Sequence, residues 1–465
     1  MGNTLIFAQK ATKQITMKEV TLSHLYELFS VSSGVCTDSR KPRPGSIFFA
    51  LRGENFDGNK FALDAIQEGC SYAVVNDPSL PKHPQLLFTA GDTLQLLADL
   101  AHYHRQQLSI PIIAITGTNG KTTTKELIGA VLSTQYQTLI TEGNLNNHIG
   151  VPLTLLRLQK EHQLAVVEMG ASHPGDIEHL VRIAAPNYGI ITNIGKAHLQ
   201  GFGSIEGVRR TKGELYDYLR TSNGTVFLHI DNDYLREMVG EIPCVTYGKT
   251  NWAQITGWAH TTSCGLLTVK WISVQDREKE YTCQTHLVGD YNLPNVLAAI
   301  TVGNFFDIPP QVICRAIESY IPGNQRSQLV PKTLRNNCLV VDGYNANPAS
   351  MEVAIDNLLR MPMNEYKQRS LILGDMNELG EESEKEHKAL IERLLSHIRA
   401  KELTLYLCGH NFYQTRHLYE QEENINFFPT TEALHQFLQE YPLSNNLILL
   451  KGSNSLRITS LTELC

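Results

Sequence analysis

No run of this chain approaches the ~18 consecutive apolar residues that a membrane-spanning helix needs. An integral membrane protein is therefore not expected, and the amino-terminal LIFA at 5–8 is too short for the apolar region of a secretory signal. No two cysteines are spaced CxxC. The nine stand at 36, 70, 244, 264, 283, 314, 338, 408 and 465, scattered and odd in number, a pattern of reduced thiols rather than of a disulfide framework. The expected compartment is the cytoplasm. A basic surplus is missing too: the formal charge is -7, so nucleic acid is not an expected partner, and an anionic substrate has to meet local clusters of Lys and Arg. Low-complexity tracts and short-period repeats are absent, which sets fibrous and solenoid architectures aside.

What is there suits a soluble α/β protein of several domains. With 465 residues, 42% hydrophobic and 19% charged, the chain is too long for one core and too apolar for extended disorder. Three blocks are expected. The first, 1–88, mixes short apolar runs (SIFFAL, YAVV) with the helix-like FALDAIQEG and ends near the proline-bearing NDPSLPKHPQ, a small α/β domain. The second, 89–320, begins with the helix-like DTLQLLADLAHYHRQQ. Its short β-rich runs IPIIAIT, LAVVEMG, YGIITNIG and TVFLHI alternate with amphipathic stretches, as in a doubly wound parallel sheet, and residues 252–291 read as appended antiparallel strands. The third, 321–465, restarts the alternation: CLVVDGYNANP, SLILGDMNELG, LTLYLCGH and LILLKGSNS each end an apolar run in a polar or glycine-bearing loop. That is a Rossmann-like arrangement, with ligands expected at the strands' carboxyl ends.

In AITGTNGKTTTKE, at 114–126, an apolar strand runs into a glycine-bearing turn and then a helix with Leu127, Ile128, Val131 and Leu132 on one face. Such a turn cradles phosphate. Backbone N–H groups of Gly117, Thr118, Asn119, Gly120, Lys121, Thr122 and Thr123 can approach an anion, the helix amino end adds a positive dipole, Lys121 reaches the terminal phosphates and Thr122 can ligate Mg²⁺. The loop is the short GxxGKT form, with Ile115 where the longer motif carries glycine, and it marks a central P-loop ATPase-like sheet. The loop alone also fits a nucleotide hydrolase or switch. No NKxD-like guanine reader follows it, which weighs against a GTP switch.

Six stretches carry a more specific likeness: TGTNGKTTTKE, EGNLNNHIGVPLTLL, VVEMGASHPGDIEHL, ITNIGKAHLQGFGSIEGVRRTKGEL, GDYNLPNVLAAI and VVDGYNANPASM. In order and spacing the chain resembles the Mur ligase family. TDSRKPRPGSIFFALRGENFDGNKF extends the likeness into the first block and LILGDMNELGEES into the third. GTNGKT is shared with folylpolyglutamate synthases, whereas GNLNNHIGVP, EMGASHPGDI and DGYNANPAS look like the one branch that adds D-alanyl-D-alanine to UDP-N-acetylmuramoyl-tripeptide. Two positions depart from the usual pattern: Asn59 stands where a His is common, and Asn454 where an Arg is.

The resemblance implies a three-domain, ATP-dependent amide ligase of peptidoglycan precursor synthesis, working through an acyl phosphate as a cytoplasmic monomer. It implies catalytic roles for Lys121, Glu168, His198 and Lys212, with Thr122, Glu168, His198 and Lys212 around Mg²⁺ and Lys212 carried as a carbamate. Independently of any likeness, Glu168 ends a buried-strand run, where an oxygen ligand is useful, and a lysine amine that is partly neutral can take up CO₂. ATP contacts are further implied at Asn292, Asn295, Arg326 and Asp342, though helix capping would equally account for the two asparagines. Substrate contacts are implied at Ser39 and Arg40 for the UDP-sugar, and at Asn144, Asn147, Asn345 and Asn347. A capped turn before Pro348 explains the last two as well. Asp38, Arg52 and Asp57 lie in the same turns as Ser39 and Arg40.

Overall fold

A computed structural model describes residues 19–465 except 263, 264, 324, 325 and 364, so LIFA and Cys264 lie outside the described residues. The chain divides into two compact units, 1–108 with 155–157, and 109–154 with 158–465.

In the first unit, strands Val35–Cys36, Ile47–Phe49, Tyr72–Val75 and Leu86–Phe88 form a parallel sheet in that order. Phe48, Ala50, Ala62, Ala65 and Val75 make its core. Helix Leu22–Ser30 starts at Thr21, whose hydroxyl accepts from the His24 N–H, and helix Thr93–Gln107 starts at Asp92 in the same way through Leu94. Leu97, Leu100 and Ala101 are fully buried, and Thr93 donates to the Ala50 carbonyl at 2.9 Å, which fastens this helix to the sheet.

Two sheets build the second unit. The larger runs Thr138–Ile140, Leu164–Glu168, Ile112–Thr116, Tyr188–Ile191, Thr225–His229, Cys244–Gly248, Ile255–Thr261, Leu266–Ser273 and Asp276–Val288. Pairing is parallel through Ile255–Thr261 and antiparallel for the last two strands, as the 252–291 patch leads one to expect. Ile112, Ile113, Ala114 and Ile115 are fully buried, because helices cover both faces of a parallel sheet and leave no strand side for polar residues. Strand Ile112–Thr116 has Leu164–Glu168 on one side and Tyr188–Ile191 on the other, so the winding direction reverses beside it. Ligands bind at the carboxyl end of such a switch point.

The smaller sheet runs Gln328–Val330, Cys338–Asp342, Asn446–Lys451, Gln368–Gly374, Leu403–Cys408 and Ile425–Phe428, parallel except for its first pair. Its last strand in sequence inserts between Cys338–Asp342 and Gln368–Gly374 and brings Asp342 and Lys451 into register. Among the described residues no helix is long and apolar enough to cross a membrane.

Candidate active site

The turn 117–120 leaves the buried strand Ile112–Thr116 and enters helix Lys121–Leu132. Two glycines make the turn. Gly117 has φ +139°, and a Cβ there would stand 2.0 Å from Thr192 Oγ1; Gly120 has φ +79°, and a Cβ would stand 2.6 Å from Asn295 Oδ1. The neighbouring strand's loop clamps the turn from one side. Thr118 N–H donates to the Asn193 carbonyl at 3.0 Å, Asn119 N–H to Asn193 Oδ1 at 3.0 Å, and Thr192 Oγ1 to the Asn119 carbonyl at 2.6 Å. Lys121, Thr122 and Thr123 open the helix, where backbone N–H groups have no intrahelical partner. Lys121 folds back, its Nζ donating to the carbonyls of Gly117 at 2.8 Å and Thr118 at 3.1 Å. Burial lowers its pKa, opposed by the charge of Glu168 and reinforced by that of Arg326.

From beneath, the turn is braced by Asn292 and Asn295, which the sequence reading assigned to a nucleotide base or to helix capping. Neither side chain caps helix Leu293–Phe305. Asn292 Nδ2 donates to the Val288 carbonyl at 2.9 Å, Asn295 Nδ2 to Asn292 Oδ1 at 2.9 Å, and Thr124 Oγ1 to Asn295 Oδ1 at 3.1 Å. Each donates its amide inward because it is buried, and a buried amide needs protein partners.

Glu168 closes its strand 1% exposed. One carboxylate oxygen accepts from Thr122 Oγ1 at 3.2 Å and Asn146 Nδ2 at 2.8 Å. The other has no hydrogen-bond partner and lies 3.7 Å from Lys125 Nζ, which donates to the Gly143 carbonyl at 3.3 Å. A buried carboxylate oxygen without a donor, beside a threonine hydroxyl, is a hard-oxygen pair that fits Mg²⁺, an ion that takes one or two protein ligands and fills its shell with phosphate and water. Consistent with that sparse protein share, no group of three His, Cys, Asp or Glu converges among the described residues. Sequence reasoning missed Asn146 and Lys125. Asn147 Oδ1 accepts from the N–H groups of Ile149 at 3.1 Å and Gly150 at 2.9 Å, capping helix Gly150–Leu155, and Asn144 is exposed.

His198, with φ 50°, begins the turn Leu199–Phe202. Its Nδ1 lies against a carboxylate oxygen of Glu378, and that contact holds the Glu378 carboxyl below its usual range. The imidazole stands edge-on to Phe202, centroids 6.2 Å apart, and Lys212 Nζ lies 5.4 Å from the centroid of the same ring. Lys212, 2% exposed on helix Ile205–Thr221, has its amine pushed down to about 7, first by burial and then by the charge of Lys121.

The smaller sheet supplies the remaining groups. Arg326 stacks on Tyr344, guanidinium carbon 3.6 Å from the ring centroid, and its charge reaches Lys121. Asp342 pairs with the buried Lys451, Nζ to Oδ2 2.5 Å, and Lys451 also donates to the Asn345 carbonyl at 3.1 Å. Asn345 Oδ1 accepts from the Ala346 N–H at 2.8 Å. Asn347 caps helix Pro348–Arg360 through a reciprocal capping box with Ser350, and its Nδ2 donates to Asn119 Oδ1 at 2.9 Å. The capping reading of Asn347 therefore holds, with an added link to the phosphate turn.

In the first unit, exposed Arg40 grips Asp38 with Nε at 2.9 Å and Nη2 at 3.0 Å and holds that carboxyl at about 2, while Ser39 lies in the same turn. Arg52 Nε stands 3.4 Å from Asp57. Asn59, buried, donates from Nδ2 to Asp57 at 2.7 Å and to Asn76 at 3.0 Å, so the residue that departs from the family pattern serves the turn's interior.

Three family domains match in order: "Mur ligase family, catalytic domain" over 32–105, "Mur ligase middle domain" over 115–303 and "Mur ligase, glutamate ligase domain" over 325–454. The chain is 33% identical over 438 residues to the UDP-N-acetylmuramoyl-tripeptide--D-alanyl-D-alanine ligase of Bacillus subtilis, covering 93% of each, and 36% identical over 398 residues to the Escherichia coli ligase of the same name, covering 80% of this chain and 82% of that one. Among solved structures it is similar to MurF from Acinetobacter baumannii, with TM-score 0.80, 29% identity and coverage of 94% and 98%. It is also similar to MurF ligase from Thermotoga maritima in complex with ADP, with TM-score 0.79, 25% identity and coverage of 94% and 97%.

Proposed function

The chain belongs to the Mur ligase family, and from that we propose that it joins D-alanyl-D-alanine to UDP-N-acetylmuramoyl-tripeptide with ATP, in peptidoglycan precursor synthesis. The observation that carries this reading is the likeness, along 93% of its length, to a ligase of that one specificity.

A peptide carboxylate does not acylate an amine in water, because it would have to expel oxide. In the reaction a carboxylate oxygen attacks the γ-phosphorus of ATP, the bond from that phosphorus to the β–γ bridging oxygen breaks, and ADP leaves. The D-alanyl-D-alanine amine then attacks the acyl carbon, loses a proton, and phosphate departs with one oxygen of the original acid. Such transfer rests on positioning and charge neutralisation.

We assign the phosphates to the turn 117–123, where the N–H groups of Lys121, Thr122 and Thr123 open the helix, with Lys121 exchanging its two carbonyl partners for phosphate oxygens. Mg²⁺, when bound, would neutralise charge on the transferring group; Thr122 and Glu168 would hold it, and the lone oxygen of Glu168 supports that choice. His198 and Lys212, gathered about Phe202, would serve a second ion, Lys212 as a carbamate; its depressed amine supports this. Asn292, Asn295, Arg326 and Asp342 are proposed to meet the nucleotide, Asn144, Asn147, Asn345 and Asn347 to face the peptides, and Ser39 and Arg40 the UDP-sugar. The working division is 1–88, 89–320 and 321–465, in a monomer of the cytoplasm.

Purified protein given ATP and Mg²⁺ should release phosphate only when both the UDP-muramoyl tripeptide and D-alanyl-D-alanine are present, and ¹⁸O from the tripeptide's acid should appear in that phosphate. Release that ignores either acceptor would refute the ligase reading in favour of a hydrolase.

A further inference from the structure

We propose that Cys283 and Cys314 form an oxidation site, at which hydrogen peroxide closes a reversible disulfide that fastens helix Pro310–Ser319 to strand Asp276–Val288. Neither cysteine is among the residues assigned to nucleotide, metal or substrate.

Both thiols belong to the core of the larger sheet, Cys283 fully buried and Cys314 8% exposed. A buried free cysteine usually serves as a small apolar side chain and needs no second thiol beside it. These two are in contact: Cys283 Sγ donates to Cys314 Sγ at 3.0 Å, about 1 Å beyond the ~2.05 Å of a bonded pair. Neighbouring contacts hold the two backbones at that spacing. Gln284 N–H, one residue along the strand, donates at 3.1 Å to Glu318 Oε1, one turn along the helix. Tyr320 OH, just past the helix, donates to Glu126 Oε2 at 2.6 Å, and Cys283 itself is paired with Val269 of the next strand. The sulfurs are thus poised to bond with little displacement of either element.

The pair is also unequal. Donation from Cys283 lowers the pKa of the Cys314 thiol, and the same hydrogen bond holds the Cys283 proton more tightly. Cys314 is therefore the nucleophile, and it is the one of the two with any exposure. An oxidant that reaches it must be nearly as small as water, which hydrogen peroxide is. The Cys314 thiolate attacks one peroxide oxygen, the O–O bond breaks, and the departing hydroxide takes up the proton that left the thiol, giving water and a sulfenic acid. The Cys283 sulfur then attacks the Cys314 sulfur, the S–O bond breaks, and the second hydroxide leaves as water with the Cys283 proton. Two thiols lose two electrons and one peroxide becomes two waters. Small thiols reopen the bond by exchange. While closed, it joins residues 31 apart in the chain and so restricts the unfolded state.

The test treats the folded, reduced full chain with hydrogen peroxide and maps it by mass spectrometry after chymotryptic cleavage, because 280–315 holds no site for trypsin between the two cysteines. Wild type should yield a Cys283–Cys314 linked peptide that dithiothreitol separates, and its melting temperature should rise by ~3–8 °C on oxidation. Cys314→Ser should show neither change. Cys283→Ser should instead accumulate oxygen on Cys314, read as added mass. Cys408→Ser, which alters a buried thiol of the smaller sheet, should link as wild type does. A link that forms only after urea unfolding would overturn the proposal, as would oxygen retained on Cys314 of the folded wild type with no bond to Cys283. A link that forms without raising the melting temperature would overturn it too, since the sulfurs would then have been pulled together at the expense of the fold.

Discussion

Lys125 is a lysine 1% exposed, one helical turn past Lys121, and replacing it with Met tests whether it offsets the charge of Glu168. Its Nζ stands 3.7 Å from the Glu168 oxygen that no donor reaches. At an effective dielectric constant of about 20 that separation corresponds to ~4.5 kcal/mol of attraction, much of it offset by taking both groups out of water. Removing one member of a buried pair typically costs ~3–5 kcal/mol, because the other charge stays behind unpaired. Glu168 also lies in the field of Lys121, so Lys125→Met is expected near the low end, ~3 kcal/mol. Glu168→Gln should cost a similar amount by stranding the amine against the Gly143 carbonyl alone. With both changes neither charge of the pair is left, and the double variant should be more stable than either single one by ~2 kcal/mol. Urea unfolding read by fluorescence suits the measurement, since Trp271 is fully buried in the core of the same sheet. If the two costs simply add, Lys125 and Glu168 are not a charge pair and the reasoning fails.

Lys121→Met should cut turnover by at least ~10²–10³-fold, as loss of a preorganised charge contact does, without lowering the melting temperature, because the amine removed is one that burial disfavours; a stability loss with turnover retained would contradict the assignment. Gly120→Ala forces a side chain into a φ of +79° and against Asn295, so ~1–3 kcal/mol of stability and about tenfold in affinity for a fluorescent ATP analogue should be lost. With the Lys212 amine pushed down to about 7, a ¹³C carbamate signal from labelled bicarbonate should grow as pH rises through 7 and vanish in Lys212→Ala; no signal at pH ~8.5 would refute the carbamate. His387 is fully buried, accepts from the Met376 N–H at Nε2, and has its pKa lowered by burial. The unfolded chain therefore takes up this proton first, so stability should fall as pH drops through ~6.5, and His387→Gln should flatten that part of a melting-temperature profile.

The phosphate turn could be read from sequence because every step of it is local: buried β-branched strand, two glycines, a helix whose apolar residues share one face. Glu168 could be read for the same reason, as the first charge after LAVV. What stayed hidden is which of several like residues faces inward. In GNLNN the expected residues were Asn144 and Asn147, yet Asn146 reaches Glu168 while Asn147 caps a helix. A signal was there, since an asparagine three residues before a helix-opening glycine is a capping candidate, and capping turns its neighbour elsewhere. Asn292 precedes the apolar LPNVLAAI and Asn295 lies in its first turn, and polar residues at the head of a buried helix announce amides spent on protein partners. Lys451, paired with Asp342, sits at the end of LILL, whose strand is last in sequence but inserts mid-sheet; no local pattern reports that partnership.

Charge explains why the cations of the site are wired inward. The chain carries a formal -7, yet Lys121 senses Arg326, Lys212 senses Lys121, and Lys125 lies on the helix of Lys121, with Glu168 as the anion that both lysines of that helix feel. Burial first, and neighbouring cations after it, depress the amines of Lys121 and Lys212. Lys121 limits the cost by closing onto the carbonyls of Gly117 and Thr118. A polyphosphate entering the turn offers that amine stronger, charge-assisted partners and weakens the repulsion felt by its neighbours. On the proposed assignment, the Lys121 that opens to admit the phosphates is the same group that gains most from them. Binding and reshaping of the turn are thus one event, and a ligand that lacks the terminal phosphate, such as AMP, should leave Lys121 folded on its own loop.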